Sequence, residues 1–189
     1  MTTEWIAQGI GLVAMAMNLL SYQQKKQRSV IGFQFFGCLL FGVNYFMLGA
    51  VVGGLLNCIG VIRAAVFLQK ERFRATHPAW LWGFSAMYVV SYVLSFTVFH
   101  KPLELPDLIV ELLPVIAMIV ATYSYRFREA RDIRRFGLVC SPFWLIYNLC
   151  NFSIGAICCE VLNLVSIGVG MLRFDIKKQD KSNQEGRGS

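Results

Sequence analysis

The stretch "LLSYQQKKQR" (Leu19–Arg28) marks the point at which an apolar segment ends and a group of basic residues begins. Roughly twenty uncharged residues precede its first lysine. About a hundred residues later, "ATYSYRFREARDIRR" (Ala121–Arg135) again places a Ser-Tyr pair before a burst of arginines. An apolar segment that ends the same way twice indicates an internal repeat whose helices end at the same face of the protein.

The composition is that of a membrane protein. The chain has 189 residues, of which 56% are hydrophobic and 15% are charged, whereas a soluble domain carries roughly 25% charged residues. Apolar segments of about twenty residues are long enough to cross a hydrocarbon core of about 30 Å. The basic residues behind the net charge of +7 lie in short runs between these segments, where they set topology rather than bind nucleic acid. The predicted fold class is therefore all-α, a polytopic transmembrane helical bundle.

The hydropathy and the basic residues together predict seven spans with the N-terminus outside and the C-terminus inside. The predicted spans are residues 4–22, 30–48, 50–69, 79–99, 105–125, 133–150 and 153–172. In this topology every Lys and Arg except Arg63 and Lys101 falls in a cytoplasmic loop or in the C-terminal tail, as the positive-inside rule requires. Five or six spans would place at least one basic loop on the wrong side.

The two halves of the chain resemble each other in order and spacing. "AMAMNLLSY" (residues 14–22) aligns with "AMIVATYSY" (117–125), and "LGAVVGGLLN" (48–57) aligns with "IGAICCEVLN" (154–163). Each triplet has an odd number of helices. Two consecutive triplets therefore have the same orientation in the membrane only when a single extra helix joins them. The predicted organisation is a first three-helix repeat (1–75), a linker helix (76–101), a second three-helix repeat (102–174) and a disordered cytoplasmic tail (175–189).

This 3+1+3 plan resembles that of the SWEET sugar transporters and the wider PQ-loop superfamily. In that group an Asn on the third helix of each repeat and a Trp on the sixth span face the solute. The resemblance implies substrate binding by Asn57, Asn163 and Trp144, which occupy the matching positions. The chain departs from the group in having "SYQQ" where a Pro-Gln is expected and Gly42 opposite Trp144.

A further resemblance covers nearly the whole chain. The stretches "WIAQGIGLVA", "YFMLGA", "VELLPVIAMIVAT" and "SIGAICCE" are similar to the YgjV family of bacterial inner-membrane proteins. The resemblance implies a location in the bacterial inner (cytoplasmic) membrane. It implies no established activity.

Three charged residues lie at membrane depth, away from the ends of the predicted spans, where charge is costly and indicates a site or a buried pair. Glu111 on the fifth span and Glu160 on the seventh lie at a similar depth, and the first and third helices of a triplet are expected to be neighbours. The two carboxylates are then candidates for proton or ion coupling, or each is protonated and bonded to a nearby helix. Arg63 either has a functional role or extends to the membrane interface.

Two functional hypotheses follow. In the first, the protein is a SWEET-like binder or transporter of a small polar solute such as a sugar. In the alternative, it is a non-transporting membrane protein that acts as a partner-binding or lipid-sensing subunit. The sequence contains no nucleophile–base motif, phosphate loop or metal-ligand cluster, so neither an enzyme nor a cofactor or metal site is expected. The expected partners are the lipid bilayer and a small polar solute, with a homo-oligomer left open.

Overall fold

The computed structural model describes residues 2–47, 51–98, 103–150 and 154–176, and this part of the chain is built from helices. Seven α-helices follow one another, and α7 continues into a π-helical turn at Met171–Ile176. The α-helices are α1 (Thr2–Tyr22), α2 (Gln27–Met47), α3 (Val51–Leu68), α4 (Pro78–Thr97), α5 (Leu105–Ser124), α6 (Ala130–Cys150) and α7 (Ile154–Gly170). The predicted all-α class is confirmed, and each predicted span coincides with one helix.

Five helices of the described part are long and apolar enough to cross a membrane, fewer than the seven predicted spans. The candidate membrane-spanning segments of these helices are Trp5–Tyr22, Gln27–Met47, Pro78–Thr97, Leu105–Ser124 and Ile157–Asp175. The apolar part of α3, Gly53–Leu68, is shorter. Helix α6 begins with three arginines and an aspartate in its first two turns, and these charges lower its mean hydropathy.

The surface of the bundle is apolar and its interior is partly polar, the reverse of the usual arrangement in a soluble protein. Large apolar side chains such as Leu12, Val90 and Val165 are more than half exposed, and Trp5 and Trp82 are 76% and 73% exposed near helix ends. The buried polar and charged residues are Ser21, Asn44, Arg63, Ser91, Ser95, Glu111, Thr122, Ser124, Arg134, Ser141, Asn148 and Asn163. An apolar exterior of this kind is suited to contact with lipid tails.

The middle helix of each predicted triplet lies between the other two. Helix α2 packs against both α1 and α3, and α6 packs against both α5 and α7. Small residues bring α2 and α3 together: a Cβ on Gly54 would lie 2.7 Å from Phe46 Cε1. The expectation that the first and third helices of each triplet are the close neighbours is therefore wrong for the described residues, because α2 and α6 separate them.

The two halves meet through several helix pairs. Helix α1 packs against α7, α2 against α6, and the linker helix α4 against both α3 and α5. Buried apolar residues fill the space between the halves, with Phe67, Phe84, Tyr88 and Tyr125 among the largest. The polar side chains described below lie within or beside this core.

The chain stays ordered beyond the point at which a disordered tail was predicted. Asp175 lies in the π-helical turn and forms an ion pair with Arg134, with 2.5 Å between Oδ1 and Nη2. The first two residues of the predicted tail, Asp175 and Ile176, thus belong to this turn, and a residue on α6 pairs with Asp175. Residues 177–189, which make up the rest of the predicted tail, lie outside the described residues.

Candidate functional site

The end of the bundle that carries the basic loops, here called the basic end, is closed by hydrogen bonds between distant segments. Gln23 Nε2, just after α1, donates to Ser166 O at 2.7 Å and to Ser166 Oγ at 3.0 Å. Ser166 Oγ in turn donates to Leu19 O at 2.7 Å. These bonds join the end of α1 to α7, so they tie the first triplet to the second.

Hydrogen bonds also join the loops of the basic end to one another. Gln27 Nε2 donates to Tyr125 O at 3.1 Å, and Arg126 Nη2 donates to Thr76 O at 2.9 Å. Lys70 Nζ donates to Phe127 O. The loop after α5 therefore contacts both the start of α2 and the loop after α3.

Arg134 is the most deeply buried charged residue of this end. It is 2% exposed, and its Nε donates to Asp175 Oδ2 at 2.9 Å. Its Nη1 donates to Gln24 O at 2.9 Å and to Tyr22 O at 3.3 Å. The guanidinium therefore links α6, the end of α1 and the π-helical turn, and its cation lies where the negative end of the α1 dipole favours positive charge.

Asn163 and Glu160 form a polar site on α7. Asn163 is 6% exposed, and its Oδ1 is buried with no hydrogen-bond donor among the described residues. Its Nδ2 lies 3.9 Å from Cys159 Sγ. The Glu160 carboxyl group interacts with the side chains of Asn163 and Ser141, the latter on α6. The structure thus supplies one unused acceptor and one acidic group next to each other.

The other two residues implied by the SWEET resemblance lie elsewhere in the bundle. Asn57 is half-buried on α3, and its Nδ2 donates to Gly53 O of its own helix at 2.9 Å. Trp144 is half-buried on α6, contacts the core and meets the Tyr147 ring edge-on. Within the described part of the chain no hydrogen bond joins these residues to Asn163. Asn57 and Asn163 do share one feature, since each amide faces the residue four positions earlier on its helix.

Glu111 and Glu160 face different parts of α6. Glu111 is 6% exposed and acts electrostatically on Tyr147, whereas Glu160 interacts with Ser141. These two α6 residues are six positions apart, or about 9 Å along the helix axis. These contacts place Glu111 beside Tyr147 and Glu160 beside Ser141, at two different positions of α6.

The Arg63 side chain is buried inside the protein rather than exposed at its surface. It is 5% exposed, and its Nη1 donates to Thr122 Oγ1 at 3.3 Å and to Met118 O at 3.5 Å, both on α5. Its guanidinium carbon lies 4.7 Å from the centre of the Tyr125 ring. The side chain is thus held inside the protein, at the seam between α3 and α5.

Asn44 and Arg134 are among the buried polar residues that were not identified as candidates from the sequence. Asn44 Nδ2 donates to Ala7 O at 2.7 Å and so joins α2 to α1. Arg134 was counted only as a topology signal, although it has partners in three segments. The sequence offered one signal for a special role of Arg134, namely its position beside an apolar run. An arginine beside a run of about fifteen mostly apolar residues lies near the membrane boundary.

Comparison with known proteins gives the family. Residues 5–178 match the family model Imp-YgjV, described as bacterial inner membrane protein. The chain is 28% identical over 183 residues to the inner membrane protein YgjV of Escherichia coli (strain K12), which covers 92% of this chain and 87% of that protein. No solved structure matches the chain. The chain is thus a multi-pass protein of the bacterial inner membrane and belongs to the YgjV family.

Proposed function

We propose that the protein binds a small polar solute between its two halves and moves it across the inner membrane, in a SWEET-like 3+1+3 arrangement with the N-terminus outside. The observation that carries this proposal is the buried, unpaired Oδ1 of Asn163. A buried acceptor without a donor costs about 1–3 kcal/mol. A hydroxyl or ammonium group of a solute would supply the missing donor.

The surroundings of Asn163 agree with this role. Glu160 and Ser141 place a carboxyl and a hydroxyl group beside the amide, so a solute with several polar groups would find several partners. The closed basic end, with bonds such as Gln23–Ser166, corresponds to one state of a protein that opens alternately to the two sides. We infer that transport requires these bonds to break while the solute stays bound near Asn163.

The replacement Asn163→Leu tests the site. We expect a thermal-shift screen of the purified wild-type protein against sugars, amino acids and other small metabolites to find a stabilising solute. Asn163→Leu should weaken its binding about 10-fold or more, since one lost hydrogen bond to a buried group contributes about 1.5 kcal/mol or more. Stability without solute should change little, because the variant removes both the unpaired Oδ1 and the amide group that interacts with Glu160.

Asn44→Leu is the matched control. Asn44 is also buried, but its amide is used in the bond to Ala7 O. The control should lose about 1 kcal/mol of stability and keep its solute affinity. Equal solute binding by wild type and Asn163→Leu would contradict the assignment of Asn163.

Glu160→Gln tests coupling to a proton or cation. The variant keeps the shape of the side chain and removes its titratable group. We expect solute affinity of the wild type to differ between mildly acidic and mildly alkaline pH, and that of Glu160→Gln to be the same at both. Glu111→Gln, which faces Tyr147 instead, should retain the pH dependence of the wild type. Identical pH profiles of Glu160→Gln and wild type would rule out a coupling role for Glu160.

A cleft at the basic end favours the second candidate function, a lipid-sensing subunit. The cleft has a volume of about 390 Å³ between α2 and α3, and its lining contains Arg28, Lys70 and Arg72 together with the acidic Glu71. Partial burial, together with the charge of Arg128, lowers the pKa of Lys70 to about 8. Converging positive charges of this kind attract anionic headgroups. An anionic lipid that stabilises the protein more than any solute in the screen would favour this function.

A further inference from the structure

The guanidinium of Arg63 has more donors than the described part of the protein can satisfy. Its Nη1 has two oxygen acceptors on α5, at 3.3 Å and 3.5 Å, both longer than the usual distance of about 2.9–3.0 Å. Its Nε is buried with no acceptor among the described residues. The side chain is only 5% exposed, so water at the surface does not replace the missing acceptor.

The positive charge of Arg63 also has no ionic partner among the described carboxylates. The groups that act on it electrostatically are neutral side chains, namely Tyr88, Tyr125, Cys38 and Cys140. Of the acidic residues within the facing half, Glu160 interacts with Ser141 and Asn163, and Glu111 acts on Tyr147. A buried cation without a counter-charge is strongly unfavourable, and the contact with the Tyr125 ring offsets only part of that cost. The missing component is an anion.

The chemistry of the site selects the kind of anion. A guanidinium presents parallel N–H donors that match the two oxygens of a carboxylate. Because Arg63 supplies a single positive charge, a single negative charge balances it, whereas a doubly charged phosphate would leave charge uncompensated. The Thr122 hydroxyl donates to Met118 O at 2.7 Å, so the Tyr88 hydroxyl, 3.1 Å from Thr122 Oγ1, is the group that can turn to donate a further hydrogen bond to a ligand oxygen.

We propose that Arg63 is the binding residue of a site for a small monocarboxylate, in the seam between α3 and α5. The site joins the two halves, because Arg63 belongs to the first triplet and Met118, Thr122 and Tyr125 to the second. It consists of residues other than Asn163 and Glu160, so it does not depend on the solute site proposed above.

Met118 packs against Arg63, and its side chain is the part of the site that we expect to move when the ligand enters. Its sulfur lies 4.0 Å from Arg63 Nη1, and its Cε approaches the position that a Cβ on Gly60 would occupy. Met has an unbranched, flexible side chain that changes rotamer readily. Movement of this side chain would uncover the guanidinium without moving a helix. A free carboxylate, rather than a lipid headgroup, is therefore the expected ligand, because the site lies inside the protein.

The test uses the full chain in nanodiscs of uncharged phosphatidylcholine, so that no anionic lipid competes. Acetate and lactate are the probes, acetamide is the neutral control and inorganic phosphate is the divalent control, with melting temperature as the readout. We expect acetate or lactate to raise the melting temperature of the wild type saturably, and the two controls to leave it unchanged. Arg63→Met should lose the response, whereas Asn163→Leu should retain it.

The stability of the variants without ligand supplies a second readout. Arg63→Met should be as stable as the wild type or more stable, since an apolar side chain replaces an uncompensated charge. Arg63→Lys keeps the charge but not the paired donors, and should weaken carboxylate binding about 10-fold or more. If Arg63→Met does not fold, Arg63→Lys tests whether Arg63 binds the carboxylate.

Three results would overturn the proposal. One is a wild type that responds to neither carboxylate. Another is an equal response to phosphate or acetamide, which would remove the selectivity for a monocarboxylate. The last is an undiminished response in Arg63→Met or Arg63→Lys, which would place the binding elsewhere.

Discussion

Replacing Asp175 with asparagine is expected to lower the free energy of unfolding by about 3–5 kcal/mol. The change removes the counter-charge of Arg134, which is 2% exposed and cannot recover its hydration. Arg134 would keep its bonds to Tyr22 O and Gln24 O, but neutral carbonyl groups do not balance a buried cation. The measurement is denaturant-induced unfolding in mild detergent, followed by tryptophan fluorescence.

An exposed ion pair at the start of the same helix provides the control. Arg131 Nε lies 2.6 Å from Glu129 Oε2, and the two side chains are 49% and 54% exposed. Because water screens such a pair, Glu129→Gln should change stability by less than about 1 kcal/mol. The pairs have similar distances and differ in burial, so the comparison isolates the effect of desolvation. A loss in Asp175→Asn no larger than that in Glu129→Gln would show that the π-helical turn contributes little.

Replacing Gly170 with alanine is expected to lower the free energy of unfolding by about 1–3 kcal/mol. Gly170 is the last residue of α7, and a Cβ there would lie 2.5 Å from Tyr22 O and 3.0 Å from Arg134 Cδ. The nearest atom belongs to the backbone at the end of α1, so the methyl group fits only if α1 and α7 move apart. That movement would strain the bonds that Arg134 makes to the same segment. Thermal unfolding in detergent measures the loss.

Gly168→Ala is the control for this substitution. It lies two residues earlier on α7, and nothing is within 4 Å of the position that its Cβ would occupy. Alanine is preferred over glycine within a helix by about 1 kcal/mol, so this variant should be as stable as the wild type or more stable. Equal destabilisation by the two substitutions would mean that steric contact with Tyr22 is not the cause.

The helices could be predicted closely because local properties decide them. Hydropathy gives the apolar segments, and basic residues such as Lys25 and Lys70 give the places where they end. The end of the last helical segment could not be predicted, because Asp175 pairs with Arg134, 41 residues away. "DIKKQDKSNQ" is a polar stretch, and only the distant arginine distinguishes its first residue from the rest.

For the candidate site, the sequence predicted which types of residue take part but not which residues they contact. Polar residues in a membrane span indicate a site or a helix contact, and Asn163, Glu160 and Arg63 are indeed buried or largely buried. Their partners depend on which helices are adjacent, and hydropathy does not contain that information. The pairing of Glu111 with Glu160 was expected from a helix order in which α5 meets α7. The small residues that let α2 and α6 occupy the middle positions change this order.

The bonds of the basic end have a consequence for how the protein is made. Gln23 and Ser166 are 143 residues apart, and Arg134 and Gln24 are 110 residues apart. The helices that are synthesised first therefore remain in the bilayer without these bonds until the last helix emerges from the ribosome. During that interval the polar groups at the end of α1 have water and headgroups as partners. The basic end can therefore close only after α7 and its π-helical turn have formed. Insertase and membrane proteases encounter a closed protein only after that step.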